Sequence, residues 1–148
     1  MNDVTIRKPV ATDRARWEEL YAGYADFYRV VQTAPMRARV WDWINDPASE
    51  VEAFVAETPS GLVGLAHFRQ FARPLAAATG GFLDDLFVDP AARGSGAARA
   101  LIEAVSDEGR TRGWTVIRWI TADDNYRARG LYDQLAQRTG WVTYDIKL

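Results

Sequence analysis

The chain has 148 residues, 48% of them hydrophobic, and its 18 basic and 20 acidic side chains leave a formal charge of -2. That length and apolar content predict one domain, residues 1–148, with a real core, and the near-balanced charge argues against nucleic acid or an anionic membrane as the main partner. The absence of cysteine excludes disulfides, thiolate zinc sites and a cysteine nucleophile, and the single histidine, His67, excludes a multi-histidine metal site, so no metal is expected.

The N-terminal residues M-N-D-V-T-I-R-K-P lack the apolar run of a secretion signal, and no stretch is long and apolar enough to span a membrane. A soluble, cytoplasmic protein is expected. Residues 4–7 alternate as a first strand, and Ala11-Thr12-Asp13 offers a helix cap. Trp17, Leu20, Tyr21, Tyr24, Phe27 and Tyr28 then recur at helical spacing. Such a stripe is usually core, while the tyrosines crowding its end, Tyr28 among them, also suit a substrate groove. A second helix is predicted over 36–44, ended by Asn45-Asp46-Pro47.

Residues 51–58 and 62–71 read as two strands joined at Pro59-Ser60-Gly61, a hairpin signal. His67 lies in that second alternating run, where a satisfied strand histidine is the commoner reading and a catalytic one the rarer. Residues 72–81, rich in Ala and Gly, read as a flexible loop. The string F-L-D-D-L-F-V at 82–88 reads as a buried strand stopped at Pro90, and a helix follows with Ala98, Leu101, Ile102 and Val105 on one face, closed by Arg112-Gly113. Residues 114–121 predict another strand, Asp123-Asp124-Asn125 the cap of a last helix reaching about Ala136, and 141–148 a final strand.

The turn before the third helix, Gly94-Ser95-Gly96-Ala97, carries almost no side chain. Backbone N–H groups at such a helix start approach an anion closely, and the helix dipole favours one, so a pyrophosphate fits; a helix start made small for packing fits equally. The dinucleotide fingerprint fails because Arg99 stands where a small residue is needed, and no Gly-Lys-Ser or Gly-Lys-Thr phosphate loop occurs. In the last helix, Asn125 and Tyr132 are seven residues apart, close to two turns, and so share a face with Ala128 between them.

The string R-G-S-G-A-A, with Arg93, Gly96 and Ala98 in the key places, resembles the acyl-coenzyme A loop of the GNAT superfamily of N-acetyltransferases. N-Y-R-A-R-G-L-Y resembles that family's second motif at Asn125, Ala128, Leu131 and Tyr132, and the acidic strand is closest to the diamine and histone/polyamine branch. The likeness covers about residues 62–148. It implies an α/β fold, a mixed sheet of about six to seven strands flanked by about four helices, with acetyl-CoA as co-substrate. It further implies coenzyme contacts from Leu86, Phe87, Val88, Arg93, Gly94, Ser95, Gly96, Ala97, Ala98, Asn125 and Tyr132, and a homodimer in which the final strand pairs or exchanges across a two-fold axis. One departure stands out: Gly140-Trp141 falls later than the family's Gly-Phe, so the last helix is expected to run longer or irregularly.

Acetyl transfer to an amine needs a neutral nucleophile, a stabilised oxyanion and a proton for the departing thiolate. An alkylammonium of pKa ~10.4 is neutral to about one part in 2,500 at pH 7, a cost of roughly 4.6 kcal/mol, so a base is useful. Strand alternation sends Asp84 and Asp85 to opposite faces. By the resemblance, Asp84 takes the proton through water, Asp85 holds a cationic acceptor, Tyr132 is the general acid, and strand N–H groups at 86–88 polarise the thioester carbonyl. The expected reaction is direct attack by a small primary amine such as a polyamine, amino acid or protein lysine. Alternatives are another acceptor class, such as an aminoglycoside or peptide N-terminus, or an acyl-CoA sensor without turnover.

Overall fold

In the computed structural model, which describes residues 3–148, strands β2 (Glu52–Thr58) and β3 (Gly61–Arg73) form the centre of the sheet, because both are apolar on both faces. Pro59 and Ser60 make the turn between them, and Gly61 supplies the φ of 113° that closes it. Strand β1 (Thr5–Arg7) pairs antiparallel with β2, and β4 (Ala78–Val88) antiparallel with β3. Strand β5 (Ile117–Arg118) lies parallel to β4, giving one mixed sheet in the order β1-β2-β3-β4-β5.

Helices cover both faces. On one side α1 (Arg14–Phe27) and α2 (Ala34–Asn45) pack Trp17, Leu20, Tyr21 and Trp41 against Val55, Leu62 and Leu65. On the other, α3 (Ala97–Arg112) packs Ala97, Leu101, Ile102 and Val105 against Phe54, Ala66, Phe68 and Leu83. Leu131, Tyr132 and Leu135 of α4 (Tyr126–Leu135) join that second cluster. Helix α3 ends as predicted: Gly113 adopts the left-handed conformation at φ 78°, and the Trp114 N–H reaches back to the Gly109 carbonyl at 2.8 Å.

The expected mixed α/β architecture is present, with local departures. Residues 72–81 are mostly strand, since β3 runs to Arg73 and β4 begins at Ala78, with one short turn at Pro74–Ala76. Their glycines serve packing: a Cβ on Gly81 would lie 2.4 Å from the Trp114 ring. Asp13 makes no side-chain cap bond to α1; its carboxylate accepts from the Val10 N–H at the start of the short helical turn Ala11–Asp13 and from the Arg7 guanidinium at 2.7 Å. The strand predicted over 114–121 shrinks to Ile117–Arg118, and residues 141–148 form no strand, so the sheet has five strands among the described residues. The last helix ends at Leu135 and is not prolonged.

The close fit of Gly81 on Trp114 makes a stability prediction. Gly81→Ala forces the indole or the strand to move, and overpacking of this kind costs about 1–3 kcal/mol. Urea unfolding should show a lower midpoint with an unchanged slope; an unshifted midpoint would mean that Trp114 relocates freely.

Candidate active site

Strand β4 is irregular where its two acids lie. His67 faces Asp85 and Phe68 faces Leu83, so Asp84 is an extra residue with no partner on β3, a β-bulge. Arg69 Nε donates to the Asp84 carboxylate at 3.1 Å, and His67 Nδ1 lies 2.8 Å from Asp85 Oδ2. His67 and Arg69 are two apart on β3 and therefore share a face. The two aspartates accordingly stand on the same side of the sheet, the side of α1, and the opposite-face reading is corrected: the bulge cancels the alternation on which it rested.

Asp85 is the better enclosed of the two. Tyr21 donates its hydroxyl to Asp85 Oδ2 at 2.8 Å, and the Trp17 indole N–H donates to His67 Nε2 at 3.0 Å. Trp17 is 0% and His67 1% exposed. Burial, the largest influence, pushes the Asp85 pKa up, yet the hydrogen bonds from His67 and from the Tyr21 and Tyr24 phenols together outweigh it and hold the carboxyl below its ordinary value. For Asp84 the balance falls the other way: burial raises its pKa even against the pull of Arg69. Burial, followed by the nearby Asp85 charge, also raises the phenols of Tyr21 and Tyr24, which stay protonated as donors.

On its far edge β4 parts from β5. Among the described residues only Gly81 and Phe82 pair with β5, at Ile117 and Arg118, and residues 83–88 have no strand beside them there. Asp89 N–H bonds back to Val63 O at 2.7 Å, and the Phe87 carbonyl lies against Gly64. Antiparallel alternation then turns the N–H groups of Leu86 and Val88 toward the open edge and that of Phe87 toward β3. Phe87 thus offers no backbone donor to the wedge; its side chain packs on Tyr24 across the other face, 6.0 Å between centroids.

Below the wedge, Gly94 and Gly96 both adopt φ 84°, and Ala97 opens α3. Nothing lies within 4 Å of a Cβ built on Gly94. Ser95 Oγ accepts from the Ala97 N–H at 3.3 Å, and Arg93 is exposed beside the turn. Two left-handed glycines before a helix N-terminus bare backbone donors as a diphosphate requires, so these residues fit the coenzyme. Asn125 occupies the N-cap position of α4 but caps nothing with its side chain; its amide donates to Thr121 Oγ1 at 3.3 Å and to the Tyr28 hydroxyl at 3.5 Å. Tyr132 packs edge-on against Trp119, and burial, with Tyr28 nearby, pushes its phenol up to about 12. Tyr28 stacks near Tyr24 at 5.0 Å between centroids, so a row of phenols joins the Asn125 and Tyr132 side to Asp85.

Sequence reasoning missed Trp17 and Arg69 as members of this site, took Tyr21 only as one of several tyrosines suited to a groove, and read His67 first as a satisfied strand histidine. An i, i+4 pair of aromatic donors on α1, Trp17 and Tyr21, facing a lone buried histidine is a signal, but it becomes readable only when the β3–β4 register is known.

Residues 17–136 match the family model described as acetyltransferase (GNAT) family. A D-amino-acid N-acetyltransferase of Saccharomyces cerevisiae, HPA3, is 27% identical over 147 residues, covering 97% of this chain and 91% of the yeast protein. The fold is similar to that of a ribosomal-protein-alanine N-acetyltransferase from Brucella melitensis biovar Abortus 2308, with TM-score 0.81, 26% identity, and 98% and 99% of the two chains covered. It is also similar to the aminoglycoside N-acetyltransferase AAC(6')-Iy in complex with CoA, with TM-score 0.84, 20% identity, and 99% and 96% covered.

Gly96 tests the turn. Gly96→Val adds bulk before the first helical N–H groups and disfavours the left-handed backbone by roughly 1–2 kcal/mol. Calorimetry should show acetyl-CoA binding weakened at least tenfold while the protein still unfolds in one transition a few degrees lower; unchanged affinity would reduce the turn to a packing device.

Proposed function

Because this chain belongs to the GNAT acetyltransferase family and is an acetyl-CoA-dependent N-acetyltransferase, we propose that its acceptor is a small cationic primary amine, attacked directly. The observation that carries this reading is Asp85, an enclosed carboxylate whose partners among the described residues, His67, Tyr21 and Tyr24, bring no fixed cation. Asp84, by contrast, is already matched by Arg69. An ammonium entering beside Asp85 supplies the missing charge, and a polyamine, an amino acid or a lysine side chain each carries one. The D-amino-acid acceptor in the yeast relative's name falls in the same class.

The roles follow from the surroundings of each group. Asp85, held below the ordinary carboxylate range, suits an anchor; Asp84, held above it, suits the group that takes the proton through water. Leu86 and Val88 N–H groups face the wedge where a thioester carbonyl develops charge. Tyr132, protonated well above neutrality, can give its proton to the departing thiolate. The turn from Arg93 to Ala98 and the Asn125 amide hold the coenzyme. A thiol-release assay over a panel of amines, aminoglycosides and peptide N-termini tests the acceptor class, and release with none of them at any concentration would favour a sensor.

A homodimer is part of the same proposal. Trp141, Val142, Tyr144, Ile146 and Leu148 are all exposed in a segment that alternates like a strand, and β5 has no neighbour on its outer edge among the described residues. Exchange of these segments between two copies buries both. Light scattering should give twice the chain mass at micromolar concentration; a monomer there and above removes this part.

For Tyr132 the acid and packing roles diverge on one oxygen atom. Tyr132→Phe keeps the ring against Trp119, so a packing residue tolerates it. As the acid, its loss should lower kcat by roughly 10²-fold or more with little change in the KM for acetyl-CoA. Near-normal kcat with the best amine would reject the acid role.

A further inference from the structure

The two nitrogens of His67 are both committed, and the commitment runs in one direction. An indole N–H only donates. Trp17 Nε1 stands 3.0 Å from His67 Nε2, so that nitrogen presents its lone pair, and the ring proton sits on Nδ1, where it donates to Asp85 Oδ2 at 2.8 Å. Tyr21 donates to the same oxygen at 2.8 Å, and the Tyr24 phenol also supports the carboxylate. The rings are clamped from several sides: Tyr21 meets His67 edge-on at 4.6 Å between centroids, Trp17 lies 5.7 Å from His67, and Trp41 packs on Trp17 at 5.0 Å.

We propose that Trp17 and His67 are positioning residues for the acceptor amine: the indole N–H selects the Nδ1–H tautomer of His67, and that tautomer orients the Asp85 carboxylate toward the incoming ammonium. The indole and the carboxylate select the same tautomer: with the proton on Nε2 instead, two N–H groups would face each other at 3.0 Å and two lone pairs at 2.8 Å, so removing the indole takes away one of two constraints. His67↔Asp85 is also the last regular cross-strand pair before the bulge, so this bond holds the side chain where the strand itself has lost its register. Nothing in the arrangement passes a proton onward, since the indole N–H at its end only donates and has no lone pair with which to take a proton. The chain of bonds orients, and Asp85 alone meets the substrate.

This inference rests on Asp85 being the amine anchor, and the experiment separates the two. His67 is the only histidine in the chain, so 15N-histidine labelling reports it without assignment work. Native protein should show one protonated Nδ1 and one unprotonated Nε2; the reverse pattern overturns the proposal whether or not any variant folds. Trp17→Phe, confirmed as folded by unchanged acetyl-CoA affinity in calorimetry, should show mixed tautomers and an amine KM raised about tenfold, with the KM for acetyl-CoA unmoved, an effect of the size usual for groups that orient a ligand from behind. Asp85→Asn should raise the amine KM at least as far. An Asp85→Asn variant with native amine KM defeats the anchor reading; a raised KM there beside a native KM in Trp17→Phe keeps the anchor and defeats the positioning role.

Discussion

Strand β4 has hydrogen-bonding neighbours on both edges only as far as Phe82, and everything chemical in this protein is arranged around the place where that ceases. Past it, β5 is absent from one edge and the β3 register slips by one residue on the other. A strand in mid-sheet that loses a neighbour exposes backbone donors, normally a liability. Here those donors are short in number, Leu86 and Val88, and they lie above a glycine turn that bares more of the same kind at the start of α3. Unpaired N–H groups in a sheltered wedge are what a thioester carbonyl and a diphosphate require.

The slipped register solves a second problem. Two carboxylates on consecutive strand residues would ordinarily serve opposite faces, and one of them would be lost in the α3 core among Leu83 and Ile102. With Asp84 inserted as a bulge, both are delivered to the α1 side, and each finds a distinct partner two residues apart on β3. Burying an ionised carboxylate costs several kcal/mol unless its lone pairs are engaged. Asp85 meets that condition with neutral donors, which satisfy its hydrogen-bonding capacity without cancelling its charge. A negative charge is thereby kept at the candidate site, and Trp17, in the α1 core, donates to the histidine that holds it.

Legibility in the sequence tracked whether a feature was local. Hairpin β2–β3, the α3 stop at Gly113 and the glycine turn before it follow from turn chemistry a few residues long, and they are where the sequence places them. The loop predicted over 72–81 failed because Gly80 and Gly81 look like flexibility in one dimension; their reasons are Val116 and the Trp114 ring respectively, each more than thirty residues away. Residues 141–148 alternate as a strand should, yet a strand needs an edge, and alternation does not say whose. His67 shows the same limit from the other side: its satisfied, buried state was foreseeable from the alternating run, but its partners come from α1 and β4. The bulge has no sequence signature at all in F-L-D-D-L-F-V, and with it went the correct facing of the two acids.

Two carboxylates on one face also resolve a conflict inherent in amine chemistry. A carboxylate that attracts an ammonium also stabilises its charged form, so the group that binds best is a poor choice for taking the proton away. Splitting the tasks requires neighbours with different proton affinities. Asp85, surrounded by donors to its ionised form, is biased toward attraction; Asp84, half withdrawn from water and only partly compensated by Arg69, is biased toward holding a proton. That bias also has a direction in space: Arg69 pulls Asp84 toward the outer end of β3, while Asp85 is drawn inward to His67 and Tyr21, next to the phenols that lead to Tyr132. In the proposed reaction, an ammonium anchored inward at Asp85 and deprotonated from the Asp84 side would present its lone pair toward the open edge of β4, where Leu86 and Val88 aim their donors.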